Sequence, residues 1–273
     1  MSDDPGRIYS WPTPEAVCPH SLSWDSCIYS RCEPGTATRT DATWRTQPAQ
    51  WIVTGRPVGY SSGDAEREWK DLIRAAVPLA GTAQPAGSGL FADFSIQQLS
   101  PRATGFAIDN LLDPVLSAVI NGQGWFGGHR PNLSWVAAQK RVQAEPGVRL
   151  AVLPNPPRLW QGSDADVAFD SAYPDDLPTA GSIDEYAVWV DRHMLRPLPK
   201  GAVGVAIEMA DAEVNLGDIA GGVIKVLIDG LWPILGGHRG VPHDRRITSM
   251  VVRKGISGLN GTAAIKVVGL ARQ

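Results

Sequence analysis

Hydrophobic periodicity divides the chain into an irregular beginning followed by predicted strands and helices. Residues 1–48 are rich in Pro, Ser, Thr and Arg and show no sustained period, which is typical of turns and irregular structure. From Trp51 onward, "WIVTGRPVGY" predicts a strand that leads into a Gly-Arg-Pro turn. "GDAEREWKDLIRAAVP" predicts a helix, because its apolar residues share one face and Pro78 ends it.

The pattern continues with a strand, a second helix and two further strands. "GLFADFSIQQ" alternates, so its apolar residues from Leu90 to Ile96 should face one way on a half-buried strand. A helical run from Asn110 to Val119 follows and leads into a Gly-rich loop. "LSWVAAQKRV" and "GVRLAVLP" then predict two strands.

The second half of the chain repeats this order of elements. "DEYAVWVDRHMLRPLP" predicts a helix, "GAVGVAIEM" a strand that opens on a glycine, and "ITSMVVRKG" and "AAIKVVGL" two late strands. Gly89 corresponds to Gly201 and Gly105 to Gly217, each 112 residues later, and the four letters GGHR occur in both halves. A near-constant offset across several elements indicates a repeat.

We therefore predict an α/β fold with two repeats, at 49–155 and 156–273, after an N-terminal extension at 1–48. In a gene-fused pair of this kind, pseudo-twofold symmetry relates the copies, and each buries the surface that a homodimer would bury. The alternative is two unrelated α/β segments that happen to share glycines.

The segment "AIDNLLDPVLSAV" resembles the signature of the RusA family of Holliday-junction resolvases. That signature reads approximately G-D-x-D-N-L-x-K-x-x-x-D-x-L, followed by a loop and an acidic D-D-x-Q/R-V/I element. "VTGRPVGYSSGDAEREWKDLIRAAV" also resembles the family's opening strand and first helix. The similarity covers most of 51–153 and about 165–271. It implies two RusA-like α/β repeats that form an intramolecular pseudo-dimer.

The resemblance also implies a Mg²⁺-dependent nuclease. In the family pattern, D-x-D presents two carboxylates on one side of an extended chain, and a third acid completes a set of oxygen ligands suited to Mg²⁺. Water bound to the metal attacks the phosphodiester. A lysine on the following helix can contact the phosphate.

The first repeat departs strongly from this pattern. Its D-x-D positions are Ala107 and Asp109, its lysine position is Asp113, and its late acidic element has become "RPNLSW", which contains no carboxylate. We do not expect this repeat to hold a catalytic metal.

The second repeat departs less. Asp218 remains, Ala220 replaces the second acid, and Asp244 remains in the late element "PHDRRI". Lys225 occupies the lysine position if one residue is inserted, and Asp229 then fits the helix aspartate. We predict Asp218 and Asp244 as Mg²⁺ ligands and Lys225 as the residue that faces the phosphate. The alternative is solvated loop aspartates and a surface lysine.

Basic residues near the two GGHR sequences are candidate contacts to DNA phosphates: His129, Arg130, His238, Arg239, Arg245 and Arg246. The alternative is an ordinary charged surface loop. The 273-residue chain has a formal net charge of −3, without the basic excess that nucleic-acid-binding domains usually show. Any DNA-binding face must therefore be local.

The N-terminal extension contains a candidate structural zinc site, which consists of Cys18, His20, Cys27 and Cys32. Cysteine and histidine are the usual zinc ligands in proteins. The paired C-x2-C spacing of many zinc sites is missing, however, so reduced thiols and an exposed histidine are the alternative.

Other sequence features narrow the functional classes. "MSDDPG" has no apolar signal region, and no run approaches the roughly 20 apolar residues of a membrane helix, so we expect a soluble, cytoplasmic protein without a membrane partner. Motifs for nucleotide hydrolysis, dinucleotide binding, serine hydrolases and zinc peptidases are missing. We expect binding to branched or duplex DNA with nuclease activity weak or lost. The alternative is a non-enzymatic structural or partner-binding subunit of a larger assembly.

Overall fold

A large mixed sheet with helices on one side forms the part of the chain that the computed structural model describes, residues 50–79, 87–97, 107–128, 132–160, 166–198 and 200–270. The predicted mixed α/β class is confirmed. The proposed zinc ligands, Cys18, His20, Cys27 and Cys32, lie outside the described residues, as do His129 and Arg130.

The ten strands of the described residues include seven that follow the predicted segments and three, at 167–173, 237–238 and 241–242, that the sequence analysis did not predict. They are β1 (Gln50–Thr54), β2 (Gly89–Ile96), β3 (Trp135–Val142), β4 (Gly147–Leu153), β5 (Val167–Tyr173), β6 (Val203–Met209), β7 (Gly237–His238), β8 (Val241–Pro242), β9 (Ile247–Arg253) and β10 (Ala263–Gly269). β7 and β8 pair only with each other, and the other eight form one sheet.

The five α-helices of the described residues include the three that periodicity predicts and two short ones within 223–235. They are α1 (Asp64–Ala76), α2 (Ile108–Leu116), α3 (Ile183–Arg192), α4 (Val223–Asp229) and α5 (Trp232–Leu235). α2 begins two residues before the predicted run and continues as a π-helical turn through Gly122. Within the described ranges, no helix is long and apolar enough to cross a membrane.

The strand order of the sheet reads the same from both edges. The order is β1-β4-β2-β3-β9-β6-β10-β5, so β1, β2, β3 and β4 occupy positions equivalent to those of β5, β6, β9 and β10. β2–β3 and β6–β9 are parallel, and the remaining pairs of each half are antiparallel. At the centre, β3 and β9 pair antiparallel and join the halves. The end of β3 therefore lies beside the beginning of β9.

The main hydrophobic core lies between the sheet and the helices. Leu90 and Phe94 on β2 belong to the same buried cluster as Val205 and Ile207 on β6, so the core is continuous across both halves. Burying an aliphatic or aromatic side chain contributes about 1.5–3 kcal/mol. The continuous core therefore stabilises the two halves together.

The opposite face of the sheet is also covered, which makes the prediction of a half-buried β2 wrong. The first six residues of β2 are buried, because Phe91 packs with Trp135, Leu159 and Trp160 on this second face. The reason is the connection between β4 and β5. It must pass six strand positions, about 29 Å at the usual spacing of about 4.8 Å. The predicted boundary at 155/156 falls within this crossing segment.

Candidate functional site

Lys225 on α4 lies among three carboxylates. Its Nζ is 2.8 Å from Asp229 Oδ1, 3.2 Å from Asp109 Oδ2 and 3.2 Å from Asp244 Oδ2. We call these four residues the Lys225 cluster. Because the three acids surround one ammonium group, the cluster is held together by charge.

The cluster combines residues from both halves of the chain. Asp109 belongs to the first turn of α2, where the helix N-terminus favours a negative charge. Asp229 lies one helical turn after Lys225 on α4, the spacing at which side chains meet on a helix surface. Asp244 begins the short turn that precedes β9. The central β3–β9 pair brings this turn next to the first half.

Burial determines the protonation behaviour of Asp109. This residue is only 1% exposed, and burial raises its pKa, with a further increase from the charge of Asp244, while the nearby Lys225 ammonium acts in the opposite direction. Within the described residues, neither oxygen of Asp109 meets hydrogen-bond geometry, so its contact with Lys225 is a charge interaction. Burial likewise raises the pKa of Asp229.

Lys225 remains protonated across the physiological range. Burial by itself would lower its pKa, but Asp109, Asp229 and Asp244 outweigh this effect and raise the pKa above the ordinary lysine value. About a fifth of the Lys225 side chain is exposed, at 22%. The cluster therefore has one side open to solvent and Asp109 at its closed end.

A second cation, Lys140, adds to the positive charge near the cluster. Its Nζ donates a hydrogen bond to the backbone oxygen of Arg245 at 2.9 Å. Burial lowers its pKa to about 8, although Asp109 and Asp244 act to raise it. Sequence reasoning missed this residue. The alternating pattern of β3 could have indicated that Lys140 is buried, because this residue follows the core residues Val136 and Ala138 at the same two-residue spacing.

The structure brings together two of the three predicted catalytic residues, Asp244 and Lys225. The carboxylate of Asp218 instead packs against the turn before α4, where a Cβ placed on Gly221 would lie 2.9 Å from its Oδ1. In the described part of the chain, no ion pair joins Asp218 to Lys225. Asp109 and Asp229 are the acids that Lys225 contacts, and a role for Asp218 as a Mg²⁺ ligand stays a prediction.

The predicted DNA-binding arginines differ in the contacts that they make within the protein. Arg246 donates hydrogen bonds to the backbone oxygens of Leu235 at 2.7 Å and Gly201 at 3.1 Å, so it holds the loop before β9 in place. Arg245 is exposed. Arg239 is also exposed but forms an ion pair with Asp184 at the start of α3. His238 is exposed beside it.

No protein-family model, curated protein or solved structure matches this chain. Its function must therefore be inferred from the Lys225 cluster and the surface around it.

The Lys225 cluster contains carboxylate oxygens of the kind that bind Mg²⁺, but their arrangement around Lys225 does not fit the ion. Carboxylate oxygens are the preferred ligands, at about 2.0–2.1 Å in near-octahedral geometry. The space between the three carboxylates instead contains the Lys225 ammonium. In the ranges that the structure describes, no group of three or more His, Cys, Asp or Glu side chains is placed to hold a metal.

Proposed function

We propose that the chain is a RusA-like protein that binds branched or duplex DNA, derived from a Mg²⁺-dependent Holliday-junction endonuclease whose activity is weak or lost. The observation that carries this proposal is the position of the Lys225 ammonium between Asp109, Asp229 and Asp244. A cationic side chain there neutralises acids of the kind that a two-carboxylate metal site needs.

The strand order supports the proposed duplication. Each half supplies four strands in equivalent positions and directions, and the central β3–β9 pair is antiparallel. An antiparallel central pair is what twofold symmetry between two copies requires. We infer that the halves descend from two RusA-like copies that form an intramolecular pseudo-dimer.

The composition of the cluster argues against efficient resolution of a four-way junction. Resolution needs two symmetric cuts and hence two competent sites. Here one cluster draws its acids from both halves, and the lysine position of the first half is Asp113. We therefore infer that DNA binding, rather than paired cleavage, is the activity that such a protein retains.

Binding and cleavage assays with four-way junctions and linear duplex test the proposal. In Mg²⁺ or Mn²⁺, we expect binding that weakens as salt rises, because phosphate contacts release counterions, with little or no cleavage. Cleavage that disappears in Asp218→Asn would instead establish a working enzyme. The matched variant Asp191→Asn, at an exposed position on α3, controls for loss of one negative charge. Failure to bind any DNA at low salt would refute the proposal.

A second candidate function is a non-enzymatic scaffold subunit that binds protein partners. The net charge of −3 favours it, as does the use of Arg246 in internal hydrogen bonds. Lack of both DNA binding and cleavage, together with a folded protein, is the result that this alternative predicts.

A further inference from the structure

The β7–β8 hairpin presents basic side chains close to the Lys225 cluster. Gly237 pairs with Pro242 and His238 with Val241, and Gly240 in the connecting turn has a φ of +65°, which favours glycine. His238, Arg239 and Val241 at its end are exposed. Asp244 follows β8 by two residues, so the hairpin and the cluster are adjacent.

Arg239 is engaged through two of its guanidinium nitrogens. Nε donates to Asp184 Oδ1 at 2.7 Å, and Nη2 donates to Asp184 Oδ2. The two side chains are 76% and 48% exposed. Water screens a pair this exposed, so it contributes little to stability. The two-point geometry of the pair, rather than its free energy, therefore indicates what Arg239 can bind.

A phosphodiester offers arginine the same two-point contact. Guanidinium groups bind carboxylate and phosphate oxygens through parallel N–H bonds, so one edge of Arg239 cannot serve both partners at once. We propose that Asp184 occupies the phosphate-binding edge of Arg239 in the free protein and that a DNA phosphate displaces it. This inference rests on the proposed DNA-binding function.

The surroundings of the pair fit an exchange of this kind. Asp184 lies in the first turn of α3, where the helix N-terminus stabilises its charge after Arg239 leaves. Arg245 is exposed in the short turn that follows β8 and adds a second positive charge. Arg246, which donates to two backbone oxygens, remains with the fold and is not part of the site.

The experiment compares DNA affinity, measured by fluorescence anisotropy over a salt series, for five proteins: wild type, Asp184→Asn, Arg239→Ala, the double variant and Asp191→Asn. Asp191 lies on the same helix and is exposed, and within the described residues it has no ion pair, so it reports the general effect of removing one negative charge. Thermal unfolding of each variant verifies that the fold is retained.

We expect Asp184→Asn to tighten binding more than Asp191→Asn does, by up to about fivefold, the factor that release of an exposed ion pair allows. Arg239→Ala should weaken binding and reduce the salt slope by about one. In the Arg239→Ala background, Asp184→Asn should then add no more than Asp191→Asn.

Several outcomes separate this inference from the proposed function. If wild type binds DNA but Asp184→Asn behaves like Asp191→Asn, or still tightens binding without Arg239, the inference is wrong while DNA binding stands. If Asp184→Asn binds where wild type does not, the inference is supported. If none of the five proteins binds DNA, both are refuted.

Discussion

Replacing Lys225 with methionine tests whether the cluster depends on one central cation. The change keeps much of the side-chain volume but removes the positive charge between Asp109, Asp229 and Asp244. Removing one partner of a buried ion pair typically costs about 3–5 kcal/mol. Lys225 is 22% exposed and two of its acids are about as exposed, so we expect about 2–4 kcal/mol.

The pH dependence follows from the raised pKa of Asp109. A carboxyl group whose pKa is higher in the folded state destabilises the fold above its ordinary pKa, and this cost disappears as pH falls and the group is protonated. Removing Lys225 raises that pKa further, because the ammonium acts to lower it. The defect of Lys225→Met should therefore be largest near neutral pH and shrink towards the acidic range.

Urea unfolding at neutral and mildly acidic pH measures the effect as a change in the free energy of unfolding. Lys266→Met is the matched control, because Lys266 forms an exposed pair with Asp170, and such pairs contribute about 0–1 kcal/mol. Adding Asp109→Asn to Lys225→Met should restore part of the lost stability. Equal losses in Lys225→Met and Lys266→Met would show that the cluster is not an energetic unit.

Two further predictions concern the core and the second lysine. Gly230→Ala should destabilise the fold by about 1–3 kcal/mol, because the new Cβ would lie 2.2 Å from the ring of the buried Tyr186. The control Gly181→Ala meets only ordinary contacts and should change the free energy of unfolding little. Equal effects of the two substitutions in urea unfolding would contradict this packing. Burial lowers the pKa of Lys140 to about 8. Between pH 8 and the ordinary lysine pKa, the unfolded chain therefore binds more protons than the folded chain. The free energy of unfolding of the wild type should rise with pH through this window, by at most about 3 kcal/mol. Lys140→Met should flatten this rise in urea unfolding measured from pH 7.5 to 10, and an unchanged profile would show that Lys140 is not buried as a charged group.

Local sequence patterns were sufficient for most elements but not for the surfaces they bury. The helices around Trp69 and Tyr186 and the strands of the large sheet other than β5 could be predicted, because spacing in the chain determines which residues share a face. The full burial of β2 could not, since it depends on Leu159 and Trp160 lying across the outer face. Which connection crosses a sheet is a property of topology rather than of the strand's own residues.

The candidate site shows the same limit more clearly. Asp109 and Lys225 are separated by 116 residues in the chain and meet only because β3 pairs with β9. Treating each half as a separate site led to Asp218 and Asp244 as the predicted Mg²⁺ ligands beside Lys225, since all three residues are in the second half, and it left Asp109 out. Lys140 was detectable, because a lysine at an inward position of an alternating strand needs a buried partner.

The two junctions between the halves differ in how much change they tolerate. The connection from β4 to β5 contains the 13 residues between Leu153 and Val167. Because β4 and β5 run in the same direction, it must span the length of a strand, about 20 Å, as well as the width of the sheet. The path is therefore about 35 Å, or roughly ten extended residues. A few added residues would lengthen this connection without changing the register of the strands, whereas deletions would draw Leu159 and Trp160 away from Phe91 on the outer face. The β3–β9 pair tolerates no such change. A shift of its register by one residue would turn Val252 and Met250 out of the core and bring the polar side chain of Ser249 into it.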